Sequence, residues 1–577
     1  MKKIQYIASA FLLMFGAVSC EKFIDNPPED KISVDEYFKT SNDVENYVKK
    51  FYEVLPGHGS ANLPVSEANS DNLILAVPDN VIQGSRPPRN GQWTQEWENI
   101  RSINILFDNI DNVDDDLSTY AQFLGEAYFF RAWFYYDKLQ TYGDVPIYDH
   151  QLLPGDEDLY KPRDPRTDVA DFIIGDLDMA IEHLGLRSET GNARLSKEAA
   201  LAFKSQVALF EGTWQKYHAG TDFATEGADP AKYFQIAVDA GDELMNGSYT
   251  VGIYNTGSPE SDYYTLFGLD NMSAVDEVLF YKIASTAEEL GHNLQFYVTR
   301  RTRDMAITWS LVSSYLGKDG QPYDYKGLAQ TTKGNDFLTT IAGECDPRLH
   351  ATVWIPGDLR VASAGQVFDK PFLNGGSEEL CATGFQVKKF SNPYSSAAGA
   401  DYGGYSQTGR IYFRFGEVLL NYAEAKYELD GTVAYDVLNQ LRERAGMAEF
   451  EVIPQPAYGD NLVDYGYAID DALYAIRNER RVELALEGQR IDDYRRWAAA
   501  ALFEGTRPLG YPFDQSEWLN NQNQPSFTAL TNEDGLVDYF QNQMPNGYGF
   551  RLDQDYLTSI PSDELVLNPN LEQNPNW

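Results

Sequence analysis

The chain has 577 residues, 43% of them apolar, and sets 87 acidic side chains against 46 basic ones for a formal charge of −41. So acidic a surface repels a phosphate backbone and excludes nucleic acid as a partner. Its three cysteines are too few for a disulfide scaffold, and after Val18 no apolar run is long enough to cross a bilayer. Residues 1–19 read as an export signal: Lys2 and Lys3 precede an apolar stretch from Ile4 to Val18, and small residues lead to Cys20. A thiol placed there and followed by polar residues suggests cleavage before Cys20 and lipidation of its sulfur. Ordinary secretion, with cleavage near Ala17 or Ser19, is the alternative. Loss of residues 1–19 removes two lysines and no acid, so −41 becomes −43 for the mature chain.

Residues 20–32 read as a polar, proline-bearing spacer, and residues 33–577 as one large domain. Ser33 with Glu36 predicts a capping box, and Ser41 predicts the start of a helix with Val44, Tyr47, Val48, Phe51 and Leu55 on one face. After an irregular stretch, helical spacing returns at Trp97–Ile110 and Ala121–Tyr142. Further helices are expected at Asp168–Leu184, Lys197–Tyr217 and Ala231–Met245, the last opened by Asp229 as cap and Pro230 at the first position. Small residues in the Lys197 helix (Ala200, Ser205, Ala208) allow close helix contact. From Ser273 to Thr408 short β-like runs (VLFYKI, NLQFYV, ATVWIP, GFQVKKF) alternate with long polar loops. Helices resume at Ile411–Leu429, Val433–Ala445 and Ala468–Ala500. The expected fold is therefore mostly α: an irregular tetratricopeptide-like scaffold of helical hairpins, mainly 33–270 and 410–500. Long loops and short strands, mainly 56–96, 271–409 and 501–577, are mounted on it.

Several segments together resemble the SusD/RagB family, the nutrient-binding outer-membrane lipoproteins of Bacteroidetes. They are CEKFIDNPPEDKISVDEYF at the start, GEAYFFRAWFYYDKLQTYGDVPIY at 125–148, and RLSKEAALAFKSQVALFEG, RIYFRFGEVLLNYAEAKYEL and IRNERRVELALEGQRIDDYRRW in order. IPSDELVLNPNLEQNPNW closes the chain. The resemblance implies a non-catalytic, lipid-anchored protein at the cell surface. It would capture oligosaccharide or polysaccharide and deliver it to a SusC-like TonB-dependent transporter of the outer membrane. Two alternatives stay open: a peptide-binding protein of the RagB kind, and a lipoprotein glycosidase.

Catalytic signatures are missing from the sequence: the six histidines are scattered, and no Walker loop or G-x-S-x-G elbow is present. The acids Asp108, Asp111, Asp114, Asp115 and Asp116 lack the glycine and terminal glutamate of an EF-hand and read as a solvated helix end. No cofactor is expected, with a structural calcium left open. The dense charge from Arg477 to Trp497 reads as an interhelical ion network. Within it Glu483 and Glu487 repel at i,i+4 and call for a cation from another element.

A sugar site needs flat apolar faces and groups that bond hydroxyls. The irregular stretch from Ser66 to Trp97 holds Asp71, Asn72, Arg86, Arg89 and Trp93, while Trp97 begins a periodic helix and reads as core. Starch-binding relatives take an Asp, an Arg and a Trp from this region, which by order correspond to Asp71, Arg86 or Arg89, and Trp93. They add aromatics from mid-chain, for which Tyr297 and Trp309 are the candidates. Tyr394, Tyr402 and Tyr405, in a Gly/Ser/Asn-rich loop, form a candidate lid. Cys345 and Cys381 are equally compatible with a bridge and with two core thiols.

Overall fold

A computed structural model of the chain describes residues 34–59, 62–400 and 404–577. Cys20, the spacer, Ser33 and Tyr402 lie outside the described residues. No helix among those described is long and apolar enough to cross a membrane.

The scaffold is helix packed on helix. In chain order its main helices are α1 (Ser41–Val54), α2 (Trp93–Asn109), α3 (Leu117–Tyr142), α4 (Arg166–His183), α5 (Lys197–Tyr217), α6 (Pro230–Asn246), α7 (Phe415–Asp430), α8 (Tyr435–Ala445), α9 (Asp471–Glu483) and α10 (Arg490–Arg496). Helices α3 and α4, α5 and α6, and α6 and α7 form the most extensive pairs. Close approach has a visible cause at Gly212, where a Cβ would stand 2.8 Å from the Phe234 ring of α6. The small residues of α5 act as expected: Ala208 packs with Phe234, Ala237 and Ala425, and Ser205 Oγ accepts a hydrogen bond from Asn421 Nδ2.

Among the described residues, six short strands make three two-stranded antiparallel sheets: β1 (Leu73–Leu75) with β3 (Met305–Ile307), β2 (Val278–Lys282) with β6 (Arg410–Arg414), and β4 (Leu359–Val361) with β5 (Gln366–Val367). The first pairing carries the N-terminal segment into the middle of the chain, with Leu73 opposite Ile307. The residue after it, Thr308, caps a short helix at Trp309–Val312 by accepting from the Leu311 amide.

Several boundaries differ from the expectations. Thr40, not Ser41, caps α1, in a reciprocal box with Asp43. Trp93 is the first residue of α2 and not part of a loop. Ile411 to Arg414 form strand β6, because the β-branched and aromatic side chains there pair with β2, and the helix starts only at Phe415. The NLQFYV run coils into a helical turn at Phe296–Arg300. The long helix expected at Ala468–Ala500 breaks into α9 and α10. Leu486 (φ 67°) and Gly488 (φ 85°) reverse the backbone, and their amides donate to the buried Glu67 carboxylate. Cys345 and Cys381 are both buried, unbridged thiols, and burial pushes each up to about 12.

Candidate functional site

The end of β3, the loop before α9 and the segment after α10 surround a groove of about 440 Å³. Trp309 forms part of its wall. The Trp309 amide donates to Leu509 O at 2.8 Å, and its indole stacks on Phe337 with centroids 5.8 Å apart and planes 23° apart. The Tyr325 ring meets it edge-on at 6.3 Å. The side chain is thus braced from the interior yet only half-buried, and it presents the remainder of its surface to the groove.

Around it stand the exposed carboxylates of Asp460, Asp464 and Glu504, together with Asn461, Thr506, Ser310 and Arg507. Arg507 is paired with a carboxylate of the tail. Its Nε and Nη2 donate to the two Asp538 oxygens at 3.0 and 2.7 Å, and its Nη1 donates to Pro545 O. Asn461 Nδ2 donates one hydrogen to Tyr323 O, which leaves its amide oxygen and second N–H to meet a ligand. An aromatic wall, ringed by acceptors and hydroxyls, suits a polyol ring that stacks through its C–H face and donates from its hydroxyls.

Asp71 also lines this groove, but as a structural anchor. Its two oxygens accept from Arg490 Nε and Nη2 at 2.7 and 2.9 Å, and Arg481 Nη2 lies 2.7 Å away. Burial alone would raise this carboxyl; Arg481 and Arg490 override it and hold it at about 2. Asn72 is buried, accepting from Arg481 Nε and donating to Glu67. Neither has a group left over for a ligand, which corrects the sequence reading of both.

Arg86, Arg89 and Trp93 do not line the groove. The Arg86 guanidinium lies 4.9 Å from the Trp577 ring and 3.3 Å from Asp555, and it donates to Thr558. Arg89 pairs with Glu96 and donates to the Tyr142 hydroxyl. Trp93 packs on Trp97 and Tyr142 with centroids 5.4 and 5.3 Å apart. These three fasten the N-terminal segment, α3 and the C-terminal tail to one another, since ion pairs and ring contacts consume the groups a sugar would need. Tyr297 is buried as well, its hydroxyl donating to Glu378. Of the candidate lid, Tyr394 is 79% exposed and lines a different cleft, beside Tyr264, Asp358 and Lys388; Tyr405 is exposed too. Among the described residues, Trp309 is the one sequence candidate that the fold leaves available in the groove.

The charge-dense segment behaves as the sequence reading requires. Glu483 and Glu487, which repel along the chain, are bridged by Arg414 of β6 at 2.9 and 2.7 Å, and Arg348 reaches Glu483 from a third element. Among the described residues no group of three or more His, Cys, Asp or Glu side chains is placed to hold a metal ion.

A sequence model of the SusD family matches residues 279–577, and one described as "Starch-binding associating with outer membrane" matches residues 34–209. The first match alone spans more than half of the sequence. The chain belongs to the SusD family. SusD-like protein P38 of Formosa agariphila is 29% identical over 36% of this chain and 43% of its own length. SusD-like protein P2 of the same organism is 24% identical over 100% of this chain and 99% of its own. A solved SusD-like carbohydrate-binding protein from Bacteroides fragilis shares the fold at a TM-score of 0.69 and 21% identity, covering 93% of this chain and 100% of that one.

For this SusD-family chain, the groove residues that sequence reasoning missed are Asp460, Asn461, Asp464, Glu504, Arg507 and Tyr548. The run QPAYGDNLVDYGY before α9 carried a signal, being rich in Tyr, Asp, Asn and Gly between two helices. Glu504 and Arg507 carried none, because nothing local marks which loop of the tail folds back against Trp309.

Proposed function

We propose that this protein is a non-catalytic glycan-binding lipoprotein. It is anchored through Cys20 at the outer membrane, takes oligosaccharide into the Trp309 groove and hands it to a SusC-like TonB-dependent transporter. The observation that carries the reading is the groove itself: a braced, half-exposed indole among carboxylates, an amide and hydroxyls, on a chain of the SusD family. The carbohydrate-binding relative from Bacteroides fragilis and the starch-binding description of the N-terminal family match support the same ligand class. Anchoring beside a transporter raises the local concentration of binder at the pore, so weak stacking contacts that release readily are sufficient.

Calorimetry of residues 21–577 against a panel of glycans and oligopeptides, with product analysis, tests this. Binding of a glycan without turnover, lost in Trp309→Ala, is the expected result; peptide-only binding or product formation overturns it. Cys20→Ala should release the protein from the membrane fraction, and retention there would refute the anchor. Co-purification of a barrel transporter with the wild-type protein from detergent-solubilised membranes checks the partner.

A further inference from the structure

The charges around the groove point to a ligand class narrower than glycans at large, an inference that rests on the glycan reading above. We infer that the groove selects uncharged, hydroxyl-rich chains and rejects glycans that carry carboxylate or sulfate groups.

An anionic sugar is gripped by a cation that has no carboxylate of its own, as a free guanidinium grips a carboxylate. Here the charge of the guanidinium in the wall, Arg507, is already balanced by Asp538, on which its Nε and Nη2 form a bidentate pair, while one Nη1 hydrogen goes to Pro545 O. The two guanidiniums beneath the groove, Arg481 and Arg490, are buried against Asp71. Lys326, beside Asp460, stands between that carboxylate and Asp534 at 3.8 and 3.9 Å. Against these paired cations, Asp460, Asp464 and Glu504 face the groove as exposed anions, on a chain of formal charge −41. For a neutral polyol the same carboxylates are the strongest acceptors available, since each takes hydroxyl donors without needing a counter-charge. For a sulfate or uronate they are like charges that the ligand must approach, and a juxtaposition of that sort excludes a competitor more than it holds a partner. At a separation of about 8 Å in water each such carboxylate weakens binding roughly twofold, so the three together give about tenfold at low salt.

The test uses residues 21–577 and calorimetry. A panel of neutral oligosaccharides (α- and β-glucan, xylan, mannan and galactan fragments) and anionic ones (polygalacturonate and alginate fragments) first identifies a binder. That binder is then compared with its chemically sulfated derivative at 20 and 500 mM NaCl. The expected result is binding of a neutral chain, lost in Trp309→Ala, with the sulfated derivative at least about tenfold weaker at 20 mM and the gap narrowing at 500 mM. The triple variant D460N/D464N/E504Q should shrink the neutral-to-sulfated ratio at low salt. An anionic chain that binds as well as a neutral one through Trp309 overturns the selectivity and leaves the glycan reading standing. A ratio unmoved by the triple variant overturns the role of the three carboxylates. Failure of every glycan to bind overturns both readings.

Discussion

Trp309 and Asp71 line the same groove and do opposite things in it, because one has surface left over after folding and the other has no uncommitted group. Trp309→Ala should weaken glycan binding at least about tenfold while costing about 1–3 kcal/mol of stability, less than a fully buried Trp would, since only part of the indole is packed. Trp309→Phe should restore part of the binding. Calorimetry and urea unfolding check the two halves separately, and equal binding in the Ala variant would remove Trp309 from the site. Asp71→Asn leaves Arg481 and Arg490 buried without their anion and should cost about 3–5 kcal/mol in urea unfolding. A loss below about 1 kcal/mol would mean that Asp71 is not the anchor its contacts make it.

At the scale of elements, the bend between α9 and α10 shapes the region beneath the groove. It turns the segment so that Arg490 reaches Asp71 while Glu483 stays among Arg348, Arg414 and Arg444. Gly488 permits it: φ is 85°, and a Cβ would stand 2.8 Å from Ser66 Oγ. Gly488→Ala is therefore expected to cost about 1–3 kcal/mol through backbone strain and that contact, visible as a fall in Tm. An unchanged Tm would show that the bend tolerates a side chain. Helical spacing ran straight through this bend in the sequence, because apolar periodicity reports which face is buried and not where a distant carboxylate, Glu67, holds two amides off the helical path.

For the whole molecule, stability against pH follows from buried carboxylates pulled in opposite directions. Burial pushes Glu417 on α7 up to about 7, and Arg480 and Arg414 nearby only partly offset it. Its ordinary value is 4.5, so between there and about 7 the folded chain holds the proton that the unfolded chain has released, and stability falls as pH rises. The effect is on the order of 3 kcal/mol. Asp71 and Glu424 behave conversely. Burial would raise both, but Arg481 beside Asp71 and Arg496 beside Glu424 hold them at about 2. Their contribution is present at neutral pH and disappears as pH drops from about 4 towards 2. Maximum thermal stability is thus expected near pH 4.5–5, and Glu417→Gln should flatten the decline between pH 5 and 7. A variant that keeps the wild-type slope would assign the decline to Asp492, which burial pushes up to about 6, or to repulsion within a chain of charge −41, which added salt would relieve.

The sequence by itself determined the properties that local spacing and composition encode: the helical scaffold, the capping of α6 by Asp229, the ion network from Arg477 to Trp497, and the likeness to the SusD family. The family resemblance also offered Trp309, beside Tyr297, as a mid-chain aromatic. Tertiary structure alone decided which polar groups remained available. Asp71, Arg86 and Arg89 look identical in sequence whether they face a ligand or a counter-ion. Their partners, Arg490, Asp555 and Glu96, come from near and far along the chain, and only folding brings them within hydrogen-bond distance. The groove followed the same rule, since Glu504 and Arg507 reach it through a tail whose path no local pattern fixes.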